Sequence, residues 1–115
     1  MLGKDIAANL REHREVWTQA YFLLPEAGGA KYCILGLKAH EAGIKDQTLM
    51  DVAYSEISRI SEYPKVADVW QINDASNVVT VDDAIAAFDA RGEEDFPGVE
   101  EFIEYCRTYE AEHPE

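Results

Sequence analysis

Apolar residues recur along this chain mostly at the three- and four-residue spacing of a helix face. In residues 4–22 the positions Ile6, Leu10, Trp17 and Ala20, with Leu24 just beyond, form one stripe. Arg11, Glu12, Arg14 and Glu15 lie opposite, which predicts a first long amphipathic helix. Pro25 and the Gly28-Gly29 pair break it. A second helix is expected over residues 30–42, burying Cys33, Ile34 and Leu37 and turning Lys31, Lys38 and Glu41 outward. Gly36 inside it costs roughly 1 kcal/mol against alanine, which close approach of another helix would justify. Gly43 is placed to end it in a left-handed cap. A third helix is expected over residues 48–61, capped by Asp46 or Thr48, with Leu49, Val52, Ala53, Ile57 and Ile60 inward.

The most regular stretch is residues 66–91, VADVWQINDASNVVTVDDAIAAFDAR. Pro64 suits the first position of a helix. Val66, Val69 and Trp70 then share a face, and Asn73-Asp74-Ala75-Ser76-Asn77 should stop the helix by bonding its own backbone. A hairpin around Asn73-Asp74 competes with this reading, but adjacent Val69 and Trp70 spoil the alternation a strand needs. Thr80 is an N-cap with Asp83 placed to complete a capping box, and Asp82 and Asp83 suit the positive end of the helix dipole. Val81, Ala84, Ile85 and Phe88 form the buried stripe, and Gly92 ends the helix. After a Phe96-Pro97-Gly98 turn, a last helix over residues 99–111 buries Val99, Phe102, Ile103 and Cys106, and the tail 110–115 is expected to fray. The expected fold is therefore all-α, a single domain over residues 1–115 built as an irregular bundle of five to six short helices.

Composition changes this picture little. The 115 residues are 47% hydrophobic and 29% charged, an ordinary globular balance. No apolar run approaches the roughly 20 residues that span a bilayer. The first residues carry no secretory pattern. Cys33 and Cys106 are too few for a disulfide framework and read as reduced core thiols of a cytoplasmic protein.

Charge changes it more. The net charge is −13, with −1 over residues 1–61 and −12 over residues 62–115. That sign argues against direct nucleic-acid or anionic-membrane binding and permits a basic protein partner. The acidic run Asp82, Asp83, Asp89, Glu93, Glu94, Asp95, Glu100, Glu101 and Glu104 is either a solvated face or a docking surface for such a partner. In an extreme form it would mimic the phosphates of DNA.

Catalytic chemistry finds little to build on. Cys33 and His40 share a helix face but sit about 10 Å apart along its axis, too far for proton transfer. The three histidines and two cysteines have no zinc-ligand spacing, and Asp68, Asp74 and Asp82 do not form a calcium loop. Gly28-Gly29 ahead of a helix reads as a turn before it reads as an anion cradle. No catalytic residue, metal ligand or cofactor is expected. The alternative functional reading is a small-molecule or enzyme pocket near Trp70, Asn73, Asp74 and Cys33, against which Asn73-Asp74 reads simply as a helix cap and Asx turn.

Two segments carry a family resemblance. KYCILGLKAHEAG resembles a Cys-Leu-x-Gly-Ala-Leu helix, and VWQINDASNVVTVDDAIAAFDAR resembles a Trp-Asn-Asp turn followed by Thr-x-x-Asp-Val and an amphipathic helix. Together, over roughly residues 30–91, they resemble a family of small helical proteins of unknown function from actinobacteria and their phages. Ile72 stands where that family's tryptophan would be, and Val79 where its arginine would be. The resemblance implies a small all-helical domain and a phage setting, and no known chemistry. The functional expectation is a non-enzymatic interaction module that binds a basic host protein through its acidic helical face.

Overall fold

The computed structural model describes residues 1–52, 54–57 and 63–114. Among them the chain is all-α, with no strand and three isolated bridges, Leu2 with Asp95, Trp17 with Tyr32 and Leu24 with Lys31. The helices are α1 (Gly3–Glu12), α2 (Ile34–Glu41), α3 (Asp46–Asp51), α4 (Tyr54–Ile57), α5 (Val66–Asn73), α6 (Val81–Asp89) and α7 (Gly98–Glu112). α1 lies along α6, while α7 packs against α2, α3 and α5. The core between them is closed by fully buried Ile6, Leu10, Ile34, Val69, Phe88 and Phe102.

The first helix is shorter than its apolar stripe predicts. α1 stops at Glu12, a short 3-10 turn follows at Arg14–Val16, and the chain then runs extended. Backbone bonds made elsewhere replace the helical ones. Tyr32 N–H donates to Val16 O (2.6 Å), Thr18 N–H to Tyr32 O (2.9 Å), and Leu24 and Lys31 exchange bonds of 2.7 and 2.9 Å. The extended course brings Phe22 into the core, its ring 4.4 Å from that of Phe102.

Gly36 answers to that same segment and not to another helix. A Cβ on Gly36 would lie 1.8 Å from Phe22 O, so only hydrogen fits between α2 and the loop. α2 then ends as expected. Gly43 has φ +95°, its N–H donates to His40 O (3.1 Å), and Ile44 N–H donates to Ala39 O (3.0 Å). These two bonds are the paired closure of a Schellman motif.

The helix expected over residues 48–61 is divided. Val52 is extended (ψ 147°) and separates α3 from α4; Ala53, Ile60 and the expected end at Ser61 lie outside the described residues. Leu49, Val52 and Ile57 are buried as expected. Neither Asp46 nor Thr48 caps α3. Asp46 lies inside the helix, where its carboxylate accepts from Tyr32 Oη (3.2 Å) and sits 2.9 Å from His40 Nδ1. The capping is done from a distance by Glu110, which accepts from Lys45 N–H (2.9 Å) and Thr48 Oγ1 (2.8 Å). Glu110 therefore belongs to an ordered α7 running to Glu112, not to a fraying tail.

α5 is a helix, so the hairpin alternative fails; it begins at Val66, with Pro64 in the preceding turn. α6 carries the complete capping box, with Asp83 N–H donating to Thr80 Oγ1 (3.2 Å) and Thr80 N–H to Asp83 Oδ2 (3.1 Å). Beyond α6, the start of α1 is seated on residues 92–94. Gly3 N–H donates to Glu94 O (2.9 Å) and Lys4 N–H to Gly92 O (3.1 Å), which satisfies donors that a helix start leaves open.

Gly36→Ala should lower unfolding stability by about 3 kcal/mol or more, because backbone must move to admit the methyl. Gly28→Ala, where nothing lies within 4 Å, should change it by less than about 0.5 kcal/mol. Urea titration of the two variants checks the pair, and equal midpoints would refute the steric account.

Candidate functional site

The acidic run and the Asn73-Asp74 turn occupy different depths of the molecule. Most of the acidic run lies at the surface beside α1 and the residues flanking it, whose cations reach across to it. Arg11 pairs with Asp89, Arg14 with Asp82, Lys4 Nζ with Glu93 (3.2 Å), and the Met1 amino group with Asp95 and Glu100 (2.9 Å each). Each pair is exposed and contributes on the order of 0–1 kcal/mol. Asp83 is occupied by capping: bonds from Val79 and Thr80 N–H hold its carboxyl below its ordinary value of 3.8. Glu101 accepts from Lys65 N–H (3.0 Å) at the start of α5. Among the described residues, Glu94 and Glu104 stand in no ion pair and are exposed. Among the described residues, four cations thus pair with five of the nine carboxylates of this face.

Asn73 is fully buried and does more than end a helix. Its Oδ1 accepts from Trp17 Nε1 (2.9 Å) and Ile34 N–H (3.3 Å). Its Nδ2 donates to Thr18 O (3.3 Å) and Asp74 Oδ1 (2.8 Å). Its backbone carbonyl accepts from Gln19 Nε2 (2.9 Å), which also donates to Val78 O (2.6 Å). Asp74 Oδ1 accepts from Ala20 N–H (3.0 Å), a non-glycine residue at φ +70°. Such a backbone costs on the order of 1 kcal/mol or more, and these bonds hold it in place. The pair therefore joins three pieces: the end of α5, the extended segment after α1, and the start of α2.

Cys33 is fully buried at the head of α2, and Trp70 is half-buried on α5. Cys106 is also a buried thiol, pushed up to about 12 by burial and then by Glu110, which makes it a poor nucleophile. His40 faces Tyr32 and Asp46 instead of a cysteine.

Among the described residues, hollows open on the surface at three places that are not lined by Trp70, Asn73, Asp74 or Cys33. An apolar one of about 390 Å³ lies between residues 20–25 and α3, beside exposed Tyr21 and Met50. A polar one of about 260 Å³ between α5 and the end of α6 holds Asp68, Gln71, Asn77, Arg91 and Glu94. A third, about 460 Å³, is bounded by Tyr63, Tyr105, Tyr109 and His113 with Glu56 and Glu112. Sequence reasoning missed this last group, although Tyr105, Tyr109 and His113 recur at four-residue intervals and so share one face of α7. It also missed Trp17 and Gln19, whose partners lie more than fifty residues away. Among the described residues, no cluster of His, Cys, Asp and Glu could hold a metal ion, and no helix is long and apolar enough to cross a membrane.

Asn73→Ala strands the Trp17 indole N–H and the Ile34 amide in the core. It should destabilise the fold by about 3 kcal/mol or more, read as a lowered denaturation midpoint with altered tryptophan fluorescence. An unchanged midpoint would refute its structural role. Asp83 has a lowered folded-state value, so its stabilisation is present above its ordinary value and lost as pH falls through the folded one. Asp83→Ala should therefore lower Tm at neutral pH, with the gap to wild type closing below about pH 4. A gap independent of pH would contradict the carboxylate's part in the cap.

Comparison with protein families, with curated proteins and with solved structures found no match to this chain.

Proposed function

We propose that this domain is a non-enzymatic interaction module that binds a basic protein partner through the acidic face over residues 82–104. The observation that supports it is the surplus charge: among the described residues four cations pair with five of the nine carboxylates of that face, Arg91 is the one cation within the stretch, and residues 62–115 carry a net −12. The internal ion pairs are exposed and individually weak, so cations of a partner can compete for the same carboxylates. Glu94 adds a recess, because it edges the polar hollow with Asp68, Gln71 and Asn77. A basic side chain inserted there would meet the carboxylates of Asp68 and Glu94 beside Arg91, which already lines the hollow. A field of this kind acts chiefly on association rate and partner choice, and salt weakens it. A cytoplasmic site of action, and an actinobacterial or phage setting, belong to the same proposal; the setting rests on the sequence resemblance alone. No observation favours a pocket at Trp70, Asn73, Asp74 and Cys33, since Asn73 and Cys33 have no exposed surface.

The test is affinity capture from host lysate at about 50 and about 300 mM salt, concentrations that span the screening range. The wild type is compared with Glu94→Lys/Glu104→Lys, which reverses two carboxylates without breaking an ion pair. The expected result is one basic protein held at low salt, released at high salt, and lost by at least about tenfold in the double variant. Capture insensitive to salt and to the reversal, or no capture at all, would sink the proposal.

A further inference from the structure

We infer that the tyrosine-lined hollow between Glu56, Tyr63 and the last turns of α7 is a binding site for a methylated ammonium group. The argument starts from ring geometry. Tyr63 and Tyr105 meet edge to face, 5.5 Å between centroids at 78°, and so form a corner of two ring planes nearly at right angles. Tyr109 continues the wall one turn later, stacked on the His113 imidazole at 4.1 Å and 17°. His113 Nδ1 is in turn 2.9 Å from Tyr109 O, which fixes the imidazole against the helix end. Aromatic faces carry negative charge density, and a cation seated within about 6 Å of several of them is attracted by each.

The charges on the rim select the ligand further. Glu56 and Glu112 both line the hollow, so phosphates and carboxylates are repelled and cations drawn in. Tyr105 Oη donates to Glu56 Oε2 at 3.5 Å and remains a neutral phenol, its ionisation pushed up to about 12 by burial and then by that carboxylate. A bare ammonium or metal ion would have to exchange a tightly held water shell for ring faces. A trimethylammonium group spreads its charge over methyls, holds water weakly and matches rings with carboxylates beside them. The volume of about 460 Å³ is within the usual range for a small-ligand site and leaves room for the chain that carries the group. Choline-like solutes and a trimethylated lysine side chain both present this chemistry. The site is separate from the acidic face, whose α7 members Glu100, Glu101 and Glu104 lie earlier on that helix. It therefore holds or fails independently of the reading proposed above.

The experiment is an amide and side-chain NMR titration of the whole chain with three probes. They are choline, Nα-acetyl-trimethyllysine amide, and 3,3-dimethyl-1-butanol, which has the shape of choline without the charge. Saturable shifts centred on Tyr105, Tyr109 and His113 are expected with at least one of the two cations. The neutral alcohol should bind at least about fivefold more weakly than choline if choline is the source, or be silent if only the lysine derivative binds. Which cation binds more tightly identifies the source. Glu112→Gln, an exposed change that spares the fold, and Tyr109→Leu should each weaken the better cation by about fivefold. Absence of saturable shifts with both cations would overturn the inference. So would equal binding of the neutral isostere and choline, or affinity unchanged in both variants.

Discussion

A single buried side-chain amide, that of Asn73, ties together the end of α5, the extended segment after α1 and the start of α2. A primary amide placed in a core without partners would cost several kcal/mol in lost hydration. Here it accepts twice and donates twice, and each partner is a group the surrounding chain must also satisfy: an indole N–H, the first amide of α2, a loop carbonyl and the neighbouring carboxylate. The bonds reinforce one another where the local dielectric is low. They also explain why residues 17–20 leave helical geometry and why Ala20 tolerates a left-handed backbone. With that segment in place, Phe22 reaches Phe102 and the backbone closes on Gly36.

The second constraint is electrostatic and acts at the surface. Fifteen acids against three cations in residues 62–115 would repel one another in any compact arrangement, and part of that repulsion is relieved by α1. Its Lys4 and Arg11, with Arg14 in the turn that follows, face α6 and the turn beyond it, while its apolar stripe seals the core between the two helices. The acidic run thus helps hold α1 against α6, and under the proposed function its unmatched remainder is what a partner would meet. Weak exposed pairs suit both, since none is strong enough to lock the face against competition.

α7 links these two regions through the roles its carboxylates take. Glu101 receives the amide of Lys65 before α5, and Glu110 caps the start of α3 from across the bundle. Its inner face supplies Val99, Phe102 and Cys106 to the core, and its last turns turn tyrosines toward the third hollow. One helix therefore positions the neighbouring helices, carries part of the acidic face and forms a wall of the tyrosine-lined hollow.

What the sequence determined by itself was decided within a few residues of chain. The capping box at Thr80 and Asp83, the apolar stripe of α6, the stop of α5 at Asn73-Asp74 and the glycine closure of α2 all depend on neighbours one turn away. The clustering of acids in the second half was equally plain. Tertiary structure decided what local pattern left underdetermined. The stripe from Ile6 to Leu24 would support one helix, but the bonds offered by Tyr32, Asn73 and Asp74 outweigh the helical ones after Glu12. Val52 interrupts a helical pattern, and Glu110, fifty-eight residues later in the chain, caps the piece before it. The depth of Asn73 could not be read from an Asn-Asp dipeptide, which favours turns wherever it occurs. Burial depends on which distant segments arrive around a residue, and periodicity reports only which face a residue shares.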